Sequence, residues 1–292
     1  MNSKKVELNK FNYFSIKDIP NKDQLKTFYS KKYFQSEKDH KNHYSKKELN
    51  YIENKLKQKF EVLKSKIQGR KNNINFLDIG CGEGWALSFM DKKGFNVFGI
   101  DYSEYAIKIH NENMIKKFKS GDIEENLKML IDQKKFFDVI FLDNVLEHVI
   151  NPESVLELVD QLSNKKSILI IEVPNDFSPT QMYLLKNKQI KNQYWVTPPD
   201  HLSYFNDQGL NNICQKFKWK KFDNLTDFPI EIYLFNENSN YNKNKNLGKS
   251  AHNARIEFEN FLSNIPPEKV NNLYRSMANI GLGRNIINFY EK

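Results

Sequence analysis

The stretch FLDIGCGEG at residues 76–84 decides the fold. An apolar run reaches an acidic residue, Asp78, and passes into a turn with Gly80, Gly82 and Gly84 at alternate positions. Trp85 and an apolar helical pattern follow. Such a turn needs glycine because the chain reverses sharply and a ligand must approach the backbone with no Cβ in the way. The N–H groups exposed where the helix starts attract anionic groups. Three more acidic residues recur at a near-regular interval, Asp101, Asp122 and Asp143, each at or just past an apolar segment. One strand plus one helix takes about that length. The carboxyl ends of successive parallel strands are where an open α/β sheet holds its ligand. A nicotinamide or flavin enzyme uses the same fold with the fingerprint G-x-G-x-x-G, but Gly84 comes one residue too early for it.

Alternation continues on both sides of the turn. Apolar runs predict strands near 74–79, 96–100, 138–143 and 167–173, with helices near 84–92, 103–118 and 152–163. A minimal strand or turn at 119–122 carries Asp122. The pattern predicts a parallel sheet with helices on both faces. Upstream, residues 1–69 read as a helical extension, in which Leu49, Ile52, Leu56, Phe60, Leu63 and Ile67 form one apolar stripe and Gly69 is the stop. Downstream, helices are expected near 179–187 and 206–217 and a strand near 219–225.

Composition bounds the partners. The 292 residues are 39% hydrophobic and 13% aromatic, enough for a core built on Phe, Tyr, Ile and Leu. A net charge of +9 raises a nucleic-acid partner. The lysines are interleaved with Asn and Glu, however, which reads as solvated helix faces. Cys81 and Cys214 stand far apart, and no C-x-x-C or Cys/His cluster points to zinc. MNSKKVELNK lacks the apolar stretch of a signal peptide. The aliphatic run at 168–171 is far too short to cross a bilayer. A cytoplasmic protein without membrane insertion is expected.

In order, FLDIGCGEG, VFGIDYS (97–103), GDIEE (121–125), FDVIFLDNVLEHV (137–149) and SILIIEVPN (167–175) resemble the motifs of class I S-adenosylmethionine-dependent methyltransferases. PNDFSP (174–179), PPDHLSYF (198–205) and GLGRNIINFYEK (281–292) are similar to methyltransferases of bacterial capsule and O-antigen gene clusters. The resemblance implies a Rossmann-like α/β fold, a seven-stranded, mostly parallel sheet with an antiparallel last strand near 285–290. The methyltransferase domain then spans 70–292, with an insertion at about 226–284.

The resemblance also assigns the site. S-adenosylmethionine is the cofactor. Asp78, Gly80, Cys81 and Gly82 are expected at its amino-acid end and ribose, Asp101 on the ribose hydroxyls, and Tyr102 against the adenine. Asp122 and Ile123 belong at the adenine edge, Leu142 and Asp143 beside the sulfonium. Tyr29 and Tyr33 are candidates to close over the methionine end. Removal of a proton from an acceptor hydroxyl suits histidine near neutral pH, and His201 and His148 are the best placed of six. Asp143 and Asn144 are adjacent oxygen donors without a clear third, so no metal is expected and transfer should survive EDTA. The expected acceptor is a small molecule, an activated and possibly nucleotide-linked sugar or another surface-polysaccharide precursor. An RNA methyltransferase is the alternative, but base amino-group enzymes carry N/D-P-P-Y/F after the fourth strand, where this chain has LDNVLEH. A non-catalytic cofactor-binding scaffold is a further alternative, against which the intact glycines and Asp101 argue.

Overall fold

The computed structural model describes residues 5–21, 23–25, 27, 43–69 and 73–292. The chain opens with a hairpin, β1 (Val6–Leu8) and β2 (Phe14–Ile16), followed by the long helix α1 (Lys46–Ile67). Strands and helices then alternate: β3 (Asn75–Ile79), α2 (Trp85–Lys92), β4 (Asn96–Asp101), α3 (Tyr105–His110), β5 (Phe118–Ser120) and α4 (Ile123–Asp132). They continue with β6 (Phe137–Asp143), α5 (Pro152–Gln161), β7 (Ser163–Pro174) and α6 (Pro179–Lys186). The last part comprises β8 (Ser203–Tyr204), α7 (Asp207–Lys216), β9 (Lys220–Leu225), α8 (Gly248–Leu262), α9 (Pro267–Asn279) and β10 (Asn285–Glu291).

Seven strands make one sheet in the order β5-β4-β3-β6-β7-β10-β9. The first five are parallel, and β10 runs antiparallel to both β7 and β9. Strands covered on both faces are apolar throughout rather than alternating. In β3, β6 and β7 that holds for Leu77, Ile79, Ile140, Leu142, Leu169 and Ile171 on one face, packed with residues of α4, α5 and α7. Phe76, Val139, Phe141, Ile168 and Ile170 face the other way, into α1, α2 and α9. The antiparallel β10 follows the expected plan, and residues 226–284 separate it from β9. Among the described residues no helix is long and apolar enough to cross a membrane.

Four elements differ from the sequence reading, each for a local reason. The first is the extension, which is not helical throughout: the β1–β2 hairpin pairs with β8 through Phe14↔Tyr204 and Ser15↔Ser203. The second is the buried face of α1, which is wider than a single stripe. Leu49 is exposed while Asn54, Gln58 and Lys59 are buried, because α1 touches both the sheet and α8, with Asn54 donating to Asn260 Oδ1. Third, the helix expected over 103–118 stops at His110. Asn111 leaves helical geometry (φ −144°, ψ 56°) and donates its side-chain amide to the Glu83 carbonyl at 2.7 Å. A 3-10 turn and β5 occupy the remainder. Fourth, α4 was not anticipated. Its start is legible in hindsight, since Asp122 caps Glu125 N at 3.1 Å and Leu127 and Leu130 recur at helical spacing.

Candidate functional site

The glycine turn lies where β3 passes into α2, and its shape is set by the neighbouring strand. Gly80 N and Cys81 N both donate to the Ile100 carbonyl, at 2.8 and 3.1 Å. Gly82 N donates to Asp101 Oδ2 at 2.8 Å, so the carboxylate at the end of β4 and the turn at the end of β3 hold one another. Gly80 has φ +71°, and a Cβ there would stand 2.4 Å from Val145 Cγ2. Gly82 has φ +51° with nothing within 4 Å of such an atom, which leaves its surface open to a ligand. Gly80→Ala is therefore expected to lose about 1–3 kcal/mol of stability through strain and clash together. Gly82→Ala, with strain alone, should lose less. Equal urea midpoints for the two variants would refute the steric account.

A cavity of about 590 Å³ opens over this turn. Its floor includes Asp78, Gly80, Cys81, Gly82, Asp143 and Asn144 from the carboxyl ends of β3 and β6. α1 supplies Tyr51, Lys55 and Lys59 to one wall, and α8 supplies His252, Arg255 and Ile256. Burial holds the Asp78 carboxyl well above the usual carboxylate range, repulsion from Asp143 and Asp101 adds to this, and Lys59 opposes it. A carboxyl group so placed gains from an incoming cation, which favours its ionised form. Burial likewise pushes the Cys81 thiol well up, so it is a small packing group here.

Behind the floor lies a buried charge cluster. Lys59 Nζ stands 2.7 Å from Asp143 Oδ2 and 2.5 Å from Glu172 Oε2. Lys55 Nζ donates to Glu172 Oε1 at 2.9 Å. Burial alone would lower both lysines, but the facing acidic groups raise them above their ordinary value, Glu172 foremost at Lys55 and Asp143 with Glu172 at Lys59. Asn285 of β10 adds a hydrogen bond to Glu172 Oε1 at 2.5 Å. The cluster ties α1 to the ends of β6, β7 and β10, and so fixes where Asp143 points. At the rim, Tyr44 Oη and Trp85 Nε1 both donate to the Glu83 carboxylate, at 2.5 and 2.8 Å.

Not all the expected site residues meet on this cavity. Asp78, Gly80, Cys81, Gly82 and Asp143 line it; Asp101, Tyr102, Asp122, Ile123 and Leu142 do not. Asp101 is one step away through Gly82 N, and its Oδ1 accepts from Ser103 N at 3.1 Å. Asp122 serves as the α4 cap. Leu142 is fully buried, so only its backbone is available to a ligand. Tyr29 and Tyr33 lie outside the described residues.

His148 and His201 also lie off the cavity wall, but they lie together. Their rings meet edge to face with centroids 4.8 Å apart. Val145 O accepts from His148 N at 3.0 Å in the turn after β6. The segment carrying His201 is fastened beside it, since the Glu147 carbonyl accepts from Leu202 N and Ser203 N at 2.7 and 3.1 Å. Tyr204 Oη donates to the His201 carbonyl at 2.8 Å. His148 Nδ1 lies 2.7 Å from the Asp200 carbonyl. A carbonyl only accepts, so Nδ1 carries the proton and Nε2 keeps the lone pair when the ring is neutral.

Sequence reasoning missed Lys55, Lys59, Glu172 and Arg255. No signal singles out two lysines of a helix that carries seven, nor an Arg of a distant helix. Glu172 had a weak one, a carboxylate within the apolar strand SILIIEVPN, where an unpaired charge would be prohibitive.

Similarity to known proteins agrees with this architecture. A methyltransferase-domain family model matches residues 30–221. Ubiquinone biosynthesis O-methyltransferases are among the relatives. That of Pelagibacter ubique is 29% identical over 127 residues, covering 44% of this chain and 52% of its own length. That of Rickettsia bellii is 32% identical over 133 residues, covering 44% and 50%. The chain thus spans about half the length of the curated relatives it matches. A SAM-dependent methyltransferase from Archaeoglobus fulgidus shares the fold with TM-score 0.50 at 20% identity, over 82% of this chain and 94% of that one. The plantazolicin methyltransferase BamL does so with TM-score 0.50 at 16% identity, over 94% and 91%. With the family model matched over more than half its length and the sheet order observed, this chain belongs to the methyltransferase-domain family and has the class I fold that binds S-adenosylmethionine.

Proposed function

We propose that the chain transfers the methyl group of S-adenosylmethionine to an oxygen of a small acceptor, of the class of an activated sugar or other surface-polysaccharide precursor. The observation that carries this reading is the cavity floor, where the open Gly82 surface adjoins the buried Asp78 and the carboxylate of Asp143. When bound, the cofactor supplies an electrophilic methyl on a sulfonium, already a good leaving group. What the chain adds is placement and control of charge and protons.

Asp78 pairs with the ammonium of the amino-acid end, which favours its ionised form. Gly82 leaves room for the ligand against the backbone. Asp101, already oriented by Gly82 N and Ser103 N, accepts from the ribose hydroxyls. Tyr102 packs on the adenine, and Asp122 with the Ile123 backbone meets its edge. Asp143, fixed by Lys59, and the Leu142 backbone flank the methionine end. Proton removal from the acceptor falls to His148 and His201. Oxygen as the target atom draws support from the relatives, named as O-methyltransferases. The sugar-precursor class rests on the resemblance of residues 174–179, 198–205 and 281–292.

Asp101→Ala is expected to lose two charge-assisted hydrogen bonds to ribose, each roughly 1.5–3 kcal/mol. That weakens S-adenosylmethionine binding by at least about tenfold. Unchanged affinity by calorimetry, in a variant with native circular dichroism, would remove Asp101 from the site. The reaction is tested by following labelled methyl from the cofactor into a panel of nucleotide sugars, phenols and RNA. Incorporation into RNA alone would overturn the acceptor class; cofactor binding with no transfer to any acceptor would favour a scaffold.

A further inference from the structure

α8 belongs to the 226–284 insertion, and the transfer reaction as proposed gives it no task, although it lines the cavity with Arg255. Across from it, Tyr51 and Lys55 stand four residues apart on one face of α1 and line the same cavity. The three side chains meet. Arg255 Nε donates to Tyr51 Oη at 2.9 Å, and Nη2 donates to the same oxygen. Both cations also reach the Tyr51 ring, whose centroid is 5.2 Å from the Arg255 guanidinium and 6.0 Å from Lys55 Nζ.

These groups keep donors that the fold does not use. Arg255 Nη1 makes no hydrogen bond among the described residues. Tyr51 Oη accepts from Arg255 and has its own hydrogen left to donate. Lys55 Nζ gives one hydrogen bond, to Glu172 Oε1 at 2.9 Å, and holds two further N–H groups. Asp227 Oδ2 stands 3.7 Å from Arg255 Nη2 and 3.8 Å from Lys55 Nζ, too far to accept from either. Two cations therefore lean on one distant carboxylate oxygen, and an anion between them relieves their repulsion. The acidic groups of the cavity do not compete for them. Glu48 is engaged by Ser45, Glu83 by Tyr44 and Trp85, and Asp143 by Lys59.

We propose that Arg255, Lys55 and Tyr51 bind a phosphate or diphosphate group of the methyl acceptor. A guanidinium gives phosphate oxygens paired N–H bonds, an ammonium adds a compact charge, and such charge-assisted bonds are about twice as strong as neutral ones. The insertion then has a task, since α8 brings to the cavity the Arg that selects phosphorylated acceptors over neutral ones. The acceptor role rests on the methyltransferase reading; the binding of phosphate does not.

Calorimetry with pyrophosphate on the full chain, with and without S-adenosylhomocysteine, tests the site. One pyrophosphate per chain is expected in both cases, with affinity lower by at least about tenfold in Arg255→Gln. Unchanged affinity in that variant overturns the proposal. Should it fail to fold, Arg255→Lys keeps the charge beside Asp227 but loses the paired N–H bonds; weaker binding there supports the site and equal binding refutes it. Pyrophosphate displaced by S-adenosylhomocysteine also refutes it, because the cations then belong to the cofactor's own carboxylate. Binding of S-adenosylmethionine without pyrophosphate uptake sinks this inference alone, whereas pyrophosphate uptake without cofactor binding sinks the methyltransferase reading alone. In the methyl-transfer panel, nucleotide sugars should outrun neutral phenols, and the reverse order would remove the acceptor role.

Discussion

Turnover in His148→Ala and in His201→Ala is expected to fall by roughly 10²–10⁴-fold, the range for loss of a group that handles a proton in the transition state. Affinity for S-adenosylmethionine should change little, because neither ring lines the cavity over the glycine turn. The two losses should be far from additive. The rings touch, at 4.8 Å between centroids, and residues that act as one unit lose most of their effect with the first removal. The measurement is single-turnover methyl transfer at saturating cofactor, with a binding isotherm for each variant. Near-native rates in both single variants would leave the histidines with only a packing role. The rate should also fall, in part, in a variant that keeps both rings but loosens the segment carrying His201. Tyr204→Phe is such a variant, since the Tyr204 hydroxyl bridges Thr197 N and the His201 carbonyl. A partial loss confined to kcat is the expected result there.

Glu172→Gln should lower stability by about 3–5 kcal/mol, the cost of leaving buried charges without their counterion. Glu172 is fully buried and meets Lys55 at 2.9 Å and Lys59 at 2.5 Å. Burial by itself would raise its carboxyl, but attraction to Lys55 and Lys59 outweighs burial and holds it well below the ordinary 4.5. A carboxyl lowered in the folded state contributes stability that is fully present above its unfolded pKa and is lost as pH falls through the folded one. The gap between native and variant proteins should therefore be widest near neutral pH and shrink in acid. Urea unfolding at several pH values measures it. A difference under about 1 kcal/mol at neutral pH would mean that Asp143 and Asp227 compensate the lysines unaided. Because the same lysine orients Asp143, the variant should also bind the cofactor less tightly.

Much of this protein was legible in its sequence, and for one reason. The parallel sheet is buried on both faces, so its strands must be continuous apolar runs, and each must be followed by a turn that can face a ligand. Phe76–Ile79, Phe98–Ile100, Val139–Leu142 and Ile168–Val173 announce those strands. Asp78, Asp101 and Asp143 mark the ends of the first three, and the alternate glycines mark the turn. The capping of α4 was legible as well, in Asp122 and Glu125, but the claim of Asp122 as a ligand residue masked it.

Tertiary structure decided the rest, because the remaining facts are distances between residues far apart in the chain. Lys59 and Glu172 are separated by 113 positions, and neither differs in kind from its neighbours until α1 is laid across the ends of β6 and β7. Asn111 ends a helix only because Glu83 offers it a carbonyl. Val145 makes Gly80 necessary by standing where a Cβ would be. His148 and His201 are 53 residues apart and become a pair when the Glu147 carbonyl takes the amides of Leu202 and Ser203. Periodicity and turn chemistry act within a few residues and can be read along the chain. Charge pairing and shared hydrogen bonds depend on which elements the packed sheet brings together, and only the folded chain specifies that.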